Sequence, residues 1–202
     1  MRNFIQRLKE LLPVNIEKNV FIISTVGYID AFGPFAIMKL FKDSGFILKG
    51  YISLRISNNV STTYMAKANP VNNEERIVRM DIAKKIILKL ADSLITGEKH
   101  IKNIGLYLIS GILIRKISKK TLKDCYLSLS IKMEKCKRCM ICVRNCPTKS
   151  IVYKNDEFEF LPICTACMRC YNNCTTYSVY HQGKNADPEI YIRYKGPIEN
   201  KS

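Results

Sequence analysis

The sequence is poor in acid: 17 Asp and Glu stand against 33 Lys and Arg in 202 residues, a formal net charge of +16. It also lacks an apolar stretch of membrane length. The run Ile104 to Ile114 has 11 residues, where a helical crossing needs ~20. Mean hydropathy is near zero, at −0.07, which likewise argues against a membrane-spanning chain. The opening residues, Met1-Arg-Asn-Phe-Ile-Gln-Arg-Leu-Lys-Glu10, scatter charge where a secretory leader carries an apolar core, so no signal peptide is expected. No helix-turn-helix signal and no interleaving of basic with aromatic residues accompanies the charge, which argues against a nucleic-acid partner. His100 and His181 have no metal-ligand spacing and read as surface residues. No grouping suits a general base or an activated nucleophile, so acid-base turnover is not expected.

What the chain does have is cysteine, nine in all, eight of them between residues 136 and 174. They read Cys136-Lys-Arg-Cys139-Met-Ile-Cys142-Val-Arg-Asn-Cys146-Pro147 and Cys164-Thr-Ala-Cys167-Met-Arg-Cys170-Tyr-Asn-Asn-Cys174-Thr175. Both follow C-x2-C-x2-C-x3-C. Without a leader, the thiols belong to a reducing, cytoplasmic setting, where such spacing means metal ligands rather than disulfides. Zinc frameworks use paired C-x2-C knuckles with longer spacers, whereas triple runs with a fourth cysteine at x3 suit [4Fe-4S] cubanes.

The two runs are copies with a period of 28. Met140/Met168, Asn145/Asn173, Thr148/Thr176 and Ser150/Ser178 match along with the cysteines. Three cysteines two residues apart can wrap one face of a cubane. The fourth lies where the chain leaves and reaches the neighbouring cluster. The expected ligand sets are therefore Cys136, Cys139, Cys142 and Cys174 for one cluster and Cys164, Cys167, Cys170 and Cys146 for the other. Cys125 stands outside both and reads as an inert thiol. Arg138, Arg144, Lys149 and Arg169 adjoin the ligands and should raise reduction potentials electrostatically. Tyr153, Tyr171, Tyr177 and Tyr180 read as packing around the clusters.

The rest of the chain has an α/β pattern. Phe4, Ile5, Leu8, Leu11 and Leu12 predict a helix over 2 to 12, ended by Pro13. Val20 to Thr25 reads as a buried strand of the parallel type, Phe32 to Lys42 as a helix closed at Ser44-Gly45, and Phe46 to Ile56 as a second strand. A polar loop runs from Ser57 to Asn73. A helix follows over 73 to 96, with Ala83, Ile86, Ile87, Leu90 and Leu94 on one face and Gly97 at its end. The run Ile104 to Ile114, followed by five basic residues, reads as a junction helix; contact with a membrane surface, without crossing it, is the alternative. Between the cysteine runs, 151 to 153 and 158 to 160 flank Lys154-Asn-Asp-Glu157 as a hairpin, and 178 to 180 pairs with 191 to 192.

With the repeat placed after this half-sheet, the chain resembles fusion proteins that join a flavodoxin-like domain to a C-terminal bacterial-type two-cluster ferredoxin. The ferredoxin likeness covers 132 to 180. On the flavodoxin side, Asn3-Phe-Ile looks like the family's third helix, Val20 to Gly27 like its fourth strand and following loop, and Phe46 to Leu54 like its fifth strand. The resemblance implies an α+β chain: a partial flavodoxin-like α/β domain at 1 to 100, a junction at 101 to 131, a 2[4Fe-4S] ferredoxin domain at 132 to 182 and a tail at 183 to 202. It also implies that Thr25, Val26, Gly27 and Tyr28 lie near the flavin in full-length relatives. The family's phosphate-cradling loop has no counterpart here, so the resemblance is to an N-terminally shortened member and tight FMN binding is not expected. The expected function is that of an electron carrier with two [4Fe-4S] clusters and an acidic redox protein as partner. The alternative is the redox module of a multi-component flavin-dependent oxidoreductase. An incomplete sheet with an apolar edge is expected to dimerise or find a partner.

Overall fold

The computed structural model describes residues 7–8, 10–11, 17–27, 37–39, 41, 44–63, 69–101, 125–184 and 186–196. The expected junction helix at 104 to 114 lies outside them. Of the two expected N-terminal helices, residues 7, 8, 10, 11, 37 to 39 and 41 are described; all are helical except Phe41, which lies in a turn. The chain forms two compact units, Met1–Ile56 with Glu74–Arg115, and Ser57–Asn73 with Lys116–Ser202. The polar segment 57 to 73, which interrupts the α/β pattern in sequence, thus goes with the cysteine-rich unit.

In the first unit, strands β1 (Lys18–Val26), β2 (Phe46–Arg55) and β3 (His100–Ile101) lie in the order β1-β2-β3. All neighbours are parallel, and a bulge falls between Val20 and Phe21, so that Phe21 faces Gly50. Helix α1 (Asn73–Thr96) begins with Glu74 and Glu75, which favour a helix N-terminus, and ends at Gly97 with φ of 72°. Ile52 and Leu54 of β2 pack against Ala83 and Leu90 of α1, with Phe21, Ile56 and Ile86 at the margin. Gly50 is required there: a Cβ at that position would stand 2.4 Å from the Phe21 ring and 3.1 Å from Leu90 Cδ1.

Two expectations change here. β1 is parallel but not buried; Ile23 is 52% exposed, because β1 occupies the sheet edge. The buried stripe of α1 is also narrower than its apolar pattern. Ile87 and Leu94 are exposed, as are Ile77, Met80, Ile82 and Leu88, because so small a sheet covers only one line of the helix. No helix among the described residues is long and apolar enough to cross a membrane.

The second unit is built from short antiparallel pairs. β4 (Leu129–Ile131) pairs with β7 (Val179–His181), and β5 (Ile151–Lys154) pairs with β6 (Glu157–Phe160). The β5–β6 hairpin turns at Asn155 and Asp156, both with positive φ, the residue types that tolerate a tight primed turn. The expected partner of 178 to 180 was 191 to 192. The strand pairs instead with β4, because Leu129 of β4 and Val179 of β7 are buried in the same core. One-turn helices α2 (Ile141–Arg144) and α3 (Arg169–Asn173) sit in equivalent places of the two copies. Leu129, Ile151, Phe160, Met168, Tyr171, Val179 and Ala186 make the core, and Tyr171 is wholly buried.

The segment from Ser57 closes on α3. The Tyr171 hydroxyl donates to the Ser61 carbonyl at 2.9 Å, Asn172 Nδ2 to the Asn59 carbonyl at 2.9 Å, and Asn59 Nδ2 to the Cys167 carbonyl at 3.4 Å. The chain after Ala186 adds a second clasp. The Arg193 guanidinium lies 3.2 Å from the Tyr171 ring centroid, and the Tyr194 amide donates to Asn172 Oδ1 at 3.1 Å.

In the first unit, Leu90 is 2% exposed and fills the gap over Gly50. Leu90→Ala is expected to lower the stability of that unit by about 2–5 kcal/mol. Urea titration followed by far-UV circular dichroism measures the loss; an unchanged midpoint would contradict the packing.

Candidate metal centre

Each cysteine run folds as a loop with two left-handed residues followed by one helical turn. Arg138 and Met140 in the first copy, and Ala166 and Met168 in the second, have φ between 49° and 59°. These pairs are 28 residues apart, so the backbone repeats as the sequence does. Left-handed geometry is costly for residues with a Cβ. Here it curls the loop so that backbone N–H groups face its concave side, an arrangement that favours anionic sulfur. The Arg138 amide donates to Cys136 Sγ, and the Ala166 amide to Cys164 Sγ, both at 3.4 Å.

The fourth cysteine of each run has a denser donor shell. Cys146 Sγ receives the Ser150 amide at 3.2 Å and lies 3.3 Å from the Ser150 hydroxyl and 3.7 Å from that of Thr148. Cys174 Sγ has the same set: the Ser178 amide at 3.3 Å, the Ser178 hydroxyl at 3.2 Å and the Thr176 hydroxyl at 3.6 Å. Burial pushes the Cys146 thiol up, but the hydroxyl and amide of Ser150 together with Thr148 outweigh it and bring it down to about 7. Cys174 is burdened by burial in the same way and is likewise drawn below its ordinary value by Ser178 and Thr176. These four hydroxyl residues matched in the repeat; their role as donors to sulfur emerges from the geometry.

The fourth cysteine also faces away from its own run. Cys146 lines one cavity together with Cys164, Cys167 and Cys170 of the other copy, closed by Leu129, Ile151, Phe160 and Met168. Burial pushes the Cys170 thiol far up, and neighbouring thiols of Cys167, Cys164, Cys142 and Cys146 push the same way. Cys142 is driven up to about 11 by burial, opposed by the Val143 amide and reinforced by Cys136, Cys174 and Cys139. Each half-buried third cysteine thus feels the charge of its own run and of the far run's fourth member. Because Cys142 is also felt at Cys170, the two groups adjoin. All eight cysteines are free thiols, with Cys139 and Cys167 exposed. No three Cys, His, Asp or Glu among the described residues crowd closely enough to hold a single metal ion.

The remaining site expectations fall elsewhere. Thr25 and Val26 end β1 and Gly27 follows it, its carbonyl accepting from Arg55 Nε at 3.3 Å; Tyr28 lies outside the described residues. Cys125 opens a 3-10 turn. His100 and His181 are both partly buried rather than on the surface: His100 begins β3, its Nδ1 3.2 Å from the Ser93 hydroxyl, and burial lowers the pKa of His181 within β7. Tyr153 packs on Phe158, with ring centroids 4.6 Å apart.

Comparison with known proteins adds one finding. Residues 129–152, which hold Cys136, Cys139, Cys142 and Cys146, match the family model of the 4Fe-4S binding domain. No curated protein and no solved structure matches the chain. The chain is therefore a mixed α/β protein that contains a 4Fe-4S binding domain, and its chemistry is iron-sulfur electron transfer.

Proposed function

We propose that the chain carries single electrons through two [4Fe-4S] clusters to or from a redox protein. In this reading Cys136, Cys139, Cys142 and Cys174 hold one cluster, and Cys164, Cys167, Cys170 and Cys146 hold the other. The observation that carries it is the cavity in which Cys146 joins the three cysteines of the opposite run. The family match covers the first run alone, and the repeated backbone extends the same chemistry to the second. A zinc site would draw four sulfurs to within about 3.8 Å of one another, from a Zn–S bond of about 2.3 Å.

When bound, the clusters supply one-electron redox chemistry. The chain positions eight thiolates, aims amide and hydroxyl donors at four of the sulfurs described above, and walls one side with the core. Exposed Cys139 and Cys167 bring the centres to the surface, where a partner can approach. The reading extends to a cytoplasmic setting and to a first unit that is a flavodoxin-like remnant. As a second reading, the chain is the redox module of a larger flavin-dependent oxidoreductase. The β1 edge and the exposed apolar residues of α1 favour it, because a companion subunit would cover them.

Anaerobic purification is expected to give a brown protein with about eight iron and eight acid-labile sulfide per chain, bleached by dithionite. Stoichiometric zinc without sulfide would overturn the reading. The crossed ligand sets predict that Cys146→Ala halves the iron, and that adding Cys164→Ala costs little more, whereas Cys146→Ala with Cys174→Ala removes nearly all of it. Similar losses for both pairs would refute the crossing.

The hydroxyl donors give a second test. A hydrogen bond to a charged acceptor contributes about 1.5–3 kcal/mol, and 1.4 kcal/mol corresponds to ~59 mV for one electron. Only the difference between oxidation states shows. Ser150→Ala and Ser178→Ala are therefore each expected to lower one midpoint potential by tens of millivolts, read by EPR-monitored titration. An unmoved potential would exclude this role.

A further inference from the structure

The two cysteine loops share a backbone, but their charged side chains have diverged, mostly in one direction; Arg169, opposite Ile141, is the exception. At positions 28 apart, Lys135 corresponds to Ile163, Lys137 to Thr165, Arg138 to Ala166 and Arg144 to Asn172. The first loop carries four cations at places where the second carries none. Lys135, Lys137, Arg138 and Arg144 are all exposed around the exposed Cys139. Their opposition is slight: Asp156 lies 3.9 Å from Arg138 Nε, and Glu134 is exposed beside Lys135. Two of the cations are held in place, Arg144 by the Cys139 carbonyl at 2.9 Å and Arg138 by the Tyr153 hydroxyl at 3.2 Å. Around the equally exposed Cys167 lie Pro162, Ile163, which is 58% exposed, and Thr165, with Arg169 the one cation of residues 160 to 172.

From this asymmetry we infer that the two cluster mouths serve different surfaces, and that the mouth around Cys139 docks an acidic redox protein. The inference rests on the electron-carrier reading and assigns its partner to one face. A fixed collar of like charge beside an exposed ligand raises the local concentration of an oppositely charged partner and orients it during encounter. The mouth around Cys167, with Arg169 as its single cation and a partly apolar surface, offers much less attraction. The transfer itself moves one electron from the reduced protein to the acceptor. No bond forms and no proton moves.

The test uses an acidic blue-copper protein in its Cu(II) form as acceptor, mixed by stopped flow with the dithionite-reduced, full-length chain. Copper is reduced to Cu(I) as the chain gives up one electron. The Lys135→Ile/Lys137→Thr pair converts the first mouth to the second mouth's residues and lowers net charge by two. The Ile163→Glu/Thr165→Glu pair lowers it by the same amount at the other mouth. At low ionic strength the first pair is expected to slow the second-order rate about tenfold and the second pair less than twofold, with both differences fading in high salt. Equal slowing by the two pairs would show that charge acts through the whole molecule and would overturn the inference. So would unchanged electron transfer accompanied by lost co-sedimentation with phosphatidylserine vesicles, which would assign the collar to a lipid surface. Iron and sulfide are measured on the same samples. Their absence from the unsubstituted chain brings down the functional reading as well, whereas loaded, reducible samples with indistinguishable pairs bring down this inference alone.

Discussion

The second unit depends on a division of loyalty at two sulfurs. Cys146 is hydrogen-bonded within its own copy, by Ser150 and Thr148, yet it opens into a cavity with three cysteines of the other copy. Cys174 has the same local donors, and its charge is felt at Cys142 in the first copy. Neither copy can be complete alone under that arrangement. Under the ligand sets proposed above, the clusters would tie the two copies of the run together, as a disulfide ties distant parts of a chain elsewhere. The duplicated loops then need little hydrophobic reinforcement. Among the described residues, seven core residues, with Tyr171 wholly buried, pack the two antiparallel pairs together.

The polar clasp around α3 supplies a different kind of cohesion. Ser61, Thr62, Asn172 and Arg193 are all buried, and burying polar groups is costly without partners. Tyr171, Asn59 and Asn69 provide several: Asn69 joins Ser61 and the Ile190 carbonyl, at 2.8 Å for the latter. The Arg193 charge lies against the Tyr171 ring, and burial brings its pKa down to about 10. A cation stacked on an aromatic face keeps some of the stabilisation that water would have given it.

Much of this was legible in the sequence where chemistry is local. Cysteine spacing marked both loops, the period of 28 paired their residues, Asn155-Asp156 marked the hairpin, and Gly97 marked the end of α1. Where the determinants were distant, the sequence was silent. β4 and β7 have three residues each and meet across about fifty positions, so neither carries a recognisable period. Segment 57 to 63 reads as loop because it is polar; hydrogen bonds from α3 hold it, with Ser61 and Thr62 buried, which no hydrophobic pattern announces. The same reason explains Ser150 and Ser178, whose match in the repeat was visible but whose acceptor was a sulfur four residues away. The histidines were misplaced because two short strands that bury them were not foreseen in full. In the first unit, β1, β2 and α1 follow the alternation of the sequence, while the β1 edge and the narrow buried stripe reflect how little sheet there is to cover the helix.

The discontinuity of the second unit also has a consequence in time. Its first piece, Ser57–Asn73, leaves the ribosome well before the cysteine loops, and the residues that clasp α3 from the other side, Arg193 and Tyr194, come last. Synthesis proceeds at about 5–20 residues per second, so Asn59 and Ser61 wait for Tyr171 and Asn172 for several seconds at least. The thiols emerge one loop at a time: Cys146 precedes the three cysteines it faces, whereas Cys174 follows Cys136, Cys139 and Cys142. Under the ligand sets proposed above, neither group of four thiols is whole before Cys170 has been made, so the first loop has no complete site of its own while the second is still being synthesised.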